Sequence, residues 1–474
     1  MSDPDQAARE ALRLLGPAPE NWVPQRDGFD HNVLVVGGGQ GGSAFAFALR
    51  RAGIGGVSVI DAAPAAAQAG VWRTRARMHK LRTLKNLVGP ELGVTALGFQ
   101  AWYEARHGRE AYAALDRIPR TEWAAYLDWF RHFLDIDVRY GTRLADVAPL
   151  DDAPVPGLSV QLVVDGQLRT ETTRKLVLAN GVAGNGAPVL PSFLRPVVAA
   201  ELAAHTADAI DFPALSGKTV AVIGAAASAF DAAAVALEAG AAAVHLFARR
   251  DHIAARAVIK PRAYAGFYDN FPALPDAHRW RHAVRYRRAG STPPADALSR
   301  VLAHDRFHLH LASPWETARI EGGRVLANVN GQEFAFDFVI AGTGYSTDPA
   351  QRPELARIAP LVARWRDRYA PASDERDDAL AASPYLGSGL EYLEKTPGSA
   401  PWLGAIHIFN PAGFASQGLP LGELPSMRRD IPAAVRRISE DLFLADLDLH
   451  EARARADVAP DFGPELYAGA VWRE

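Results

Sequence analysis

The feature that most limits the fold of this chain is a pattern that occurs twice: an apolar strand, a glycine turn, a helix and a second strand. The first copy has a predicted strand over 32–36, the turn Gly-Gly-Gly-Gln-Gly-Gly over 37–42, a helix over 43–52 and a strand over 57–60. The second copy begins at Lys218. A strand that enters a glycine turn and leaves it as a helix is typical of dinucleotide-binding βαβ units. The duplication predicts an α/β fold with two Rossmann-like dinucleotide-binding domains.

In the first turn, each glycine of the motif has a separate physical task. Gly37 permits the tight turn, Gly39 lets the backbone approach a pyrophosphate, and Gly42 lets the helix pack closely on the strand. Gln40 stands at the start of the helix, whose free N–H groups favour an anion. Asp61 ends the second strand, where a carboxylate can accept hydrogen bonds from ribose hydroxyls. The alternative is a glycine-rich turn that binds no ligand.

The second turn departs from the glycine pattern. Gly224 keeps the first position, but Ala226 stands at the second, and the helix that contains Ser228 follows. Arg249 and Arg250 lie after the next strand, where an acid would repel a 2′-phosphate and an arginine can bind one. This arrangement favours NADPH, and its alternative is a solvated arginine pair. The acid-terminated first unit suits FAD, whose adenosine ribose carries a free 2′-hydroxyl.

These features predict an FAD-binding domain with an inserted NADPH-binding domain. We expect an N-terminal extension over 1–28 and the first part of the FAD domain over 29–212. The NADPH domain is expected over 213–335, and the second part of the FAD domain over 336–474. Within the last part, the Pro-, Asp- and Ser-rich segment 346–403 reads as a lid-like excursion. A C-terminal amphipathic helix is expected over roughly 426–444.

Composition excludes several classes of function. The chain has 474 residues, a net charge of −3 and no cysteine, so it cannot reduce disulfides through a cysteine pair of its own. Nothing points to nucleic acid, because there is no basic excess. No apolar segment is long enough for a membrane span, and the acidic N-terminus is unlike a signal peptide, so we expect a cytoplasmic protein. We expect no metal site, since His308 and His310 share a strand face but lack a third ligand.

Several motifs together resemble the class B flavoprotein monooxygenases, which include flavin-containing monooxygenases, Baeyer–Villiger monooxygenases and amine N-hydroxylases. They are VLVVGGGQGG with VSVID, GVWR from Gly70, LRTLKNLVGP (81–90), IPRTEWAAYLDWF (118–130), SGKTVAVIGAAASAFD (216–231) with LFARR, FVIAGTGY (338–345) and GFASQGL (413–419). One family fingerprint, expected over 199–209, is degraded, and only His205 fits it. This departure weakens a Baeyer–Villiger or standard flavin-containing assignment.

The resemblance implies positions for further residues. It places Trp72, His79, Leu81, Thr83, Gly418 and Leu419 beside the flavin, and Thr343 and Gly344 where flavin and nicotinamide meet. Lys85 and Asn86 are the implied catalytic residues, polar groups that face the reaction space and could stabilise developing charge or hold a substrate carboxylate. The alternative for Lys85 is a surface lysine on a helix.

The implied function is an FAD- and NADPH-dependent monooxygenase. It would insert one oxygen atom from O₂ into a small organic substrate through a C4a-(hydro)peroxyflavin, with N-hydroxylation preferred over S-oxidation or Baeyer–Villiger oxidation. One alternative is an NADPH-dependent flavoprotein reductase that passes electrons to a quinone or a protein carrier. Another is a flavin-binding regulatory protein. The expected partners are a small-molecule substrate and O₂, and homo-oligomerisation is left open.

Overall fold

A computed structural model describes residues 3–151, 153–184 and 186–472. Its strands, in chain order, are β1 (His31–Val36), β2 (Val57–Ile60), β3 (Val138–Arg139), β4 (Thr142–Pro149), β5 (Leu158–Val164), β6 (Gln167–Leu178), β7 (Ala203–His205), β8 (Thr219–Ile223), β9 (Ala243–Phe247), β10 (Phe307–His310), β11 (Trp315–Glu321), β12 (Arg324–Val329), β13 (Gln332–Phe336), β14 (Phe338–Ala341) and β15 (Ile406–Ile408). Its helices are α1 (Pro4–Leu15), α2 (Gln40–Arg51), α3 (Val71–Thr74), α4 (Phe99–His107), α5 (Arg109–Ala114), α6 (Arg120–Phe133), α7 (Arg195–Ala199), α8 (Ala227–Glu238), α9 (Ala265–Asn270), α10 (Asp276–Ala289), α11 (Ala295–Leu302), α12 (Trp365–Arg368), α13 (Asp378–Ala381), α14 (Phe414–Gln417), α15 (Leu424–Ala445) and α16 (Leu447–Ala454).

The first sheet is built around the first glycine turn. Its strand order is β3-β2-β1-β6-β5-β4, and β15 pairs with the C-terminal half of β6. Strands β1, β2, β3, β6 and β15 run parallel where they pair, whereas β4 and β5 form antiparallel pairs with each other and with β6. Because β1 lies between β2 and β6, its carboxyl end opens into the crevice where ligands of such sheets bind.

The second sheet repeats this arrangement around the second turn. Its order is β10-β9-β8-β14-β7, all parallel, and β8 lies in the interior. The antiparallel sheet β11-β12-β13 packs beside it. The expected α/β fold with two dinucleotide-binding units is therefore confirmed.

Strand pairing places the ends of the inserted unit differently from the expected 213–335. Strands β7 and β14 lie outside that range, yet both belong to the second sheet. By sheet membership, the insertion extends from Ala203 to Ala341. The sequence did not indicate this, because the pairing of parallel strands depends on distant segments rather than on local pattern.

The segment 346–403 is not a lid-like excursion. Many of its apolar side chains belong to the core of the first unit, with Leu355, Ile358, Leu390 and Leu403 at most 3% exposed. Others, such as Trp365, pack against α10 of the inserted unit. The segment is packed although its backbone is irregular and contains only short helices and isolated β-bridges. The C-terminal helix expected over 426–444 is observed as α15.

The N-terminal extension contains helix α1, which Asp3 caps through its side chain. The indole N–H of Trp129 donates to Asp5 Oδ1 over 2.8 Å and so ties α1 to α6. Within the described part of the chain, no helix combines the length and apolar character that crossing a membrane requires.

Candidate functional site

The first glycine turn has little room for side chains at two of its positions and open space at a third. A Cβ atom on Gly42 would lie 1.8 Å from the carbonyl oxygen of Gly37, and one on Gly37, whose φ is +109°, would lie 2.5 Å from the carbonyl oxygen of Ala179. A Cβ on Gly39 would meet no atom of the described residues within 4 Å. The backbone at Gly39, which caps α2, therefore borders a space into which a ligand can approach closely.

Asp61 lies directly against this turn. Its Oδ2 accepts a hydrogen bond from the Gly38 N–H (2.8 Å), and its Oδ1 accepts one from the Ala63 N–H (2.9 Å). These bonds fix the carboxylate at the carboxyl end of β2. Each oxygen of a carboxylate can accept a second hydrogen bond, so ribose hydroxyls can still bind here.

Gln40 connects four parts of the first unit. Its Oε1 accepts hydrogen bonds from the indole N–H groups of Trp72 (3.2 Å) and Trp123 (3.0 Å), and its Nε2 donates to the carbonyl of Gly422 (2.7 Å). The start of α2, helix α3, helix α6 and the turn before α15 are thereby held together. Trp123 lies in the motif at 118–130, but sequence reasoning missed its role because its hydrogen-bond partner is distant in the chain.

The second turn reproduces the geometry of the first in spite of its alanines. Gly224 has a φ of +116°, and a Cβ there would lie 2.3 Å from the carbonyl oxygen of Gly342. Ala226 caps α8 in an extended conformation (φ −88°, ψ 174°), which any residue can adopt. Ala229, at the third glycine position, packs against Gly342, where an added Cβ would lie 2.7 Å from the Ala229 Cβ. The glycine missing from α8 is thus compensated by one after β14.

The other residues predicted for the second nucleotide also lie at this edge of the second sheet. Ser228 is half-buried in the first turn of α8, Arg249 is exposed, and Arg250 Nη1 donates to the carbonyl of Ala289 (2.9 Å). Arg249 is therefore more accessible to a phosphate than Arg250.

Thr343 and Gly344 lie where the two units meet. The Thr343 hydroxyl donates to the carbonyl of Val189, and the Val189 N–H donates to the carbonyl of Gly344 (2.9 Å). Tyr345 stacks edge-on against His205, with 5.1 Å between ring centroids. The chain therefore passes between the two units as a short ribbon of paired backbone. Burial lowers the pKa of His205 beside it.

The segment from 79 to 86 runs along the inserted unit. Leu81 is buried and its N–H donates to the carbonyl of Ile118 (2.8 Å), Thr83 is half-buried, and Asn86 is exposed. His79 Nε2 lies 3.9 Å from Glu238 Oε2 at the end of α8. His79 thus has a neighbour in the inserted unit, and its place beside the flavin stays a prediction.

Lys85 has a clear structural task. Its ammonium group donates to three backbone carbonyls, those of Tyr112 (2.7 Å), Ala113 (3.1 Å) and Leu115 (2.6 Å), at the C-terminal end of α5. It also lies 4.6 Å from the centroid of the Tyr112 ring. All three donors of an ammonium group are engaged in this way. The geometry favours a capping role for Lys85, and its catalytic role stays a prediction.

The turn at 418–419 packs against the inserted unit. Gly418 has a φ of +78°, and a Cβ there would lie 2.4 Å from the ring of Phe271. Leu419 is buried. This turn precedes Gly422, which accepts the hydrogen bond from Gln40, so it lies close to the first glycine turn.

Three charged or polar groups that sequence reasoning missed lie near one another between the units. Glu423 precedes α15; its side chain borders open space, yet the surrounding protein raises its pKa, and Arg82 opposes that shift. Burial raises the pKa of Tyr286 on α10, and Glu423 raises it further. Arg82 also donates to Asp231 on α8 (2.8 Å). No local sequence signal marks these residues, because they come from three separate segments.

The residues at both turns fit dinucleotides. Each turn has a first glycine with positive φ whose N–H donates to the end of the neighbouring strand, Gly37 to Ile60 (2.7 Å) and Gly224 to Phe247 (3.0 Å). Each helix starts at the third position after that glycine. The first helical N–H groups of α2 and α8 have no intrahelical acceptors and point to the crevice, as pyrophosphate binding requires.

Comparison with known proteins places the chain in a family. It is 37% identical over 446 residues to the FAD-dependent urate hydroxylase of Xanthomonas campestris pv. campestris, and the match covers 93% of each protein. The chain belongs to the class B flavoprotein monooxygenases. A family model described as L-lysine 6-monooxygenase/L-ornithine 5-monooxygenase also matches this monooxygenase, over residues 108–283.

The fold of this monooxygenase is that of solved N-hydroxylases. Ornithine hydroxylase from Pseudomonas aeruginosa aligns with a TM-score of 0.68 at 17% identity, covering 87% of this chain and 99% of the other. L-lysine 6-monooxygenase from Pseudomonas syringae aligns with a TM-score of 0.64 at 16% identity, covering 87% and 99%. The expectations of an oxidoreductase of the monooxygenase type, with FAD and NADPH as the cofactors of its family, are confirmed.

Proposed function

We propose that this monooxygenase hydroxylates urate or a closely related planar oxopurine anion. The observation that carries the proposal is the 37% identity to a urate hydroxylase along 93% of both chains. The solved N-hydroxylases share the fold at 17% identity or less, which supports the architecture but not their substrates. The reaction would consume the substrate, O₂, NADPH and a proton, and would release the hydroxylated substrate, NADP⁺ and water.

We assign the first turn to FAD. Gly37, Gly39 and Gly42 would hold the pyrophosphate against the N-terminus of α2, and Asp61 would bind the ribose. When bound, FAD supplies the redox chemistry and the activation of O₂. The support from the structure is the open space at Gly39 and the carboxylate fixed beside the turn.

We assign the second turn to NADPH. Gly224, Ala226 and Ser228 would face the pyrophosphate, while Arg249, with Arg250 behind it, would bind the 2′-phosphate. Thr343 and Gly344, in the ribbon between the units, would lie near the nicotinamide. The exposed guanidinium of Arg249 supports the preference for NADPH over NADH.

The remaining predicted residues would form the wall around the reacting groups. Trp72, which Gln40 orients, would shield the site from water together with Leu81 and Leu419. His79, Thr83 and Gly418 keep their predicted positions beside the flavin in this proposal, and Asn86 faces the reaction space.

Glu423 is the group best placed to hold a proton in the cleft. Its side chain borders open space at the N-terminus of α15, and desolvation by the surrounding protein raises the pKa of its carboxyl. We propose that it donates a hydrogen bond to the substrate or moves a proton during the reaction.

N-Hydroxylation of an amine is the second candidate. The match of residues 108–283 to the lysine and ornithine monooxygenase model favours it. The two candidates make different demands, because an aliphatic amine must be held as a cation or a neutral base, whereas urate is an anion at neutral pH.

The test is substrate-dependent NADPH oxidation by the purified FAD-loaded enzyme, with products identified by mass spectrometry. We expect urate to accelerate NADPH oxidation and to gain one oxygen atom, and ornithine and lysine to do neither. Hydroxylated ornithine or lysine without hydroxylated urate would overturn the proposal in favour of the second candidate. The variant Glu423→Gln should lower kcat without loss of bound FAD.

A further inference from the structure

A small cavity lies between the loop before α9 and the face of α10. It measures about 200 Å³ and is lined by Val258, Pro261, Arg262, Tyr264, Phe267, His282 and Arg285. Pockets for drug-sized ligands measure roughly 300–1,000 Å³, so this one suits a single small ring system. Its wall combines aromatic rings with two arginines and a histidine, a composition that suits a planar anion.

Arg262 is the residue that gives the cavity its charge. The side chain lines the cavity, the residue is only 8% exposed, and its Nε and Nη2 atoms have no hydrogen-bond partner among the residues that the structure describes. Its guanidinium lies 5.7 Å from the centroid of the Phe267 ring and 5.9 Å from that of Phe271. Within the described residues, no carboxylate forms an ion pair with it.

The surroundings add positive charge rather than compensate it. Burial lowers the pKa of Arg262, and Arg285 lowers it further, while Tyr268 and Tyr286 act in the opposite direction. Burial and the nearby arginines also lower the pKa of His282. A buried cation without a counter-ion is energetically unfavourable, and an anion in the cavity would remove much of that cost.

The cavity is next to the site described above. The Phe271 ring, which Arg262 faces, packs on Gly418 in the turn predicted beside the flavin. On α10, Tyr286 follows His282 by one helical turn and reaches the cleft where Glu423 lies. One aromatic ring therefore separates the guanidinium from the 418–419 turn.

We infer that this cavity binds the planar anionic substrate, with Arg262 as the residue that selects for its negative charge. Tyr264 and Phe267 would stack on the ring, and Arg285 would add a second positive charge at the rim. This inference rests on the proposed function for the identity of the anion, but the requirement for a small planar anion comes from the cavity itself.

The experiment measures equilibrium binding of urate, and of benzoate as an independent planar anion, to the oxidised FAD-loaded enzyme by calorimetry. Arg262→Met should raise the urate Kd by about tenfold or more, as expected for the loss of a charge-assisted hydrogen bond. Arg262→Lys should have an intermediate effect. The matched control is Arg281→Met on the same helix, whose side chain is 59% exposed and bonds to Glu375, and its urate Kd should stay within about twofold of wild type.

The outcomes separate the inference from the proposed function. Bound FAD and the KM for NADPH should be unchanged in Arg262→Met and Arg262→Lys, which shows that the variants fold. If urate is not a substrate but benzoate binding depends on Arg262, the anion site stands and the proposed function fails. Wild-type affinity for both anions in a folded Arg262→Met variant overturns the inference. An effect of Arg262→Met on the KM for NADPH alone also overturns the inference, because the cavity would then belong to the nucleotide site.

Discussion

Replacing Gly39 by alanine separates the folding role of the first turn from its binding role. The φ of Gly39 is −75°, which alanine adopts readily, and within the described part of the chain its added Cβ would meet no atom within 4 Å. The apoprotein should therefore be as stable as the wild type, or more stable by roughly 0.4–1 kcal/mol, because alanine restricts the unfolded chain. The new methyl group would instead occupy the space in which we place the FAD pyrophosphate.

The size of the effect can be read from thermal or urea unfolding with and without FAD. At an FAD concentration of about 100 times the wild-type Kd, bound cofactor stabilises the folded state by about 2.7 kcal/mol. A tenfold weaker Kd reduces that contribution to about 1.4 kcal/mol at the same concentration. We expect at least this loss for Gly39→Ala, with no loss in the absence of FAD.

The matched control is Gly42→Ala, in which the Cβ would lie 1.8 Å from the Gly37 carbonyl oxygen. It should destabilise the protein even without FAD, because a backbone atom must move to admit the methyl group. If Gly39→Ala binds FAD as tightly as the wild type, the assignment of FAD to this turn is refuted.

Three further predictions concern other parts of the molecule. Arg249→Met should raise the KM for NADPH about tenfold and leave that for NADH nearly unchanged, as measured by steady-state kinetics; equal effects on both would contradict the 2′-phosphate assignment. Lys85→Met should lower the free energy of unfolding by about 1–3 kcal/mol through loss of its carbonyl contacts and leave kcat of the folded enzyme intact, whereas a fall in kcat at unchanged stability would establish the catalytic role. Burial raises the pKa of Asp430 to about 7, so the protonated carboxyl stabilises the folded state at low pH and that stability is lost as the pH rises from about 4 to about 7; urea unfolding across this range should show the loss in the wild type and not in Asp430→Asn.

The parts of the fold that local chemistry controls could be predicted from the sequence. The strands at 57–60, 219–223 and 243–247 are observed at the expected bounds. Short apolar runs between a helix and a turn leave little choice in where a strand begins and ends. The second turn was recognised in spite of Ala226. Its extended backbone explains why alanine is tolerated there.

The parts of the fold that depend on contacts between distant segments could not be predicted from the sequence. The Pro, Asp and Ser content of the segment 346–403 predicts a lid, yet side chains such as Leu355 and Leu390 are buried against the first sheet. The partner of Trp123 is Gln40, 83 residues away. The cleft formed by Arg82, Tyr286 and Glu423, and the cavity around Arg262, join segments whose proximity only the folded chain reveals.

The most direct test of the central claim is the origin of the oxygen atom in the product. The FAD-loaded enzyme is given urate, NADPH and isotopically heavy O₂ in ordinary water, and the product, the NADPH consumed and the hydrogen peroxide released are measured together. We expect one heavy oxygen atom in each hydroxylated product molecule and one NADPH oxidised for each product formed. Product oxygen that comes from water, or NADPH oxidation that yields only hydrogen peroxide whether or not urate is present, would contradict this expectation.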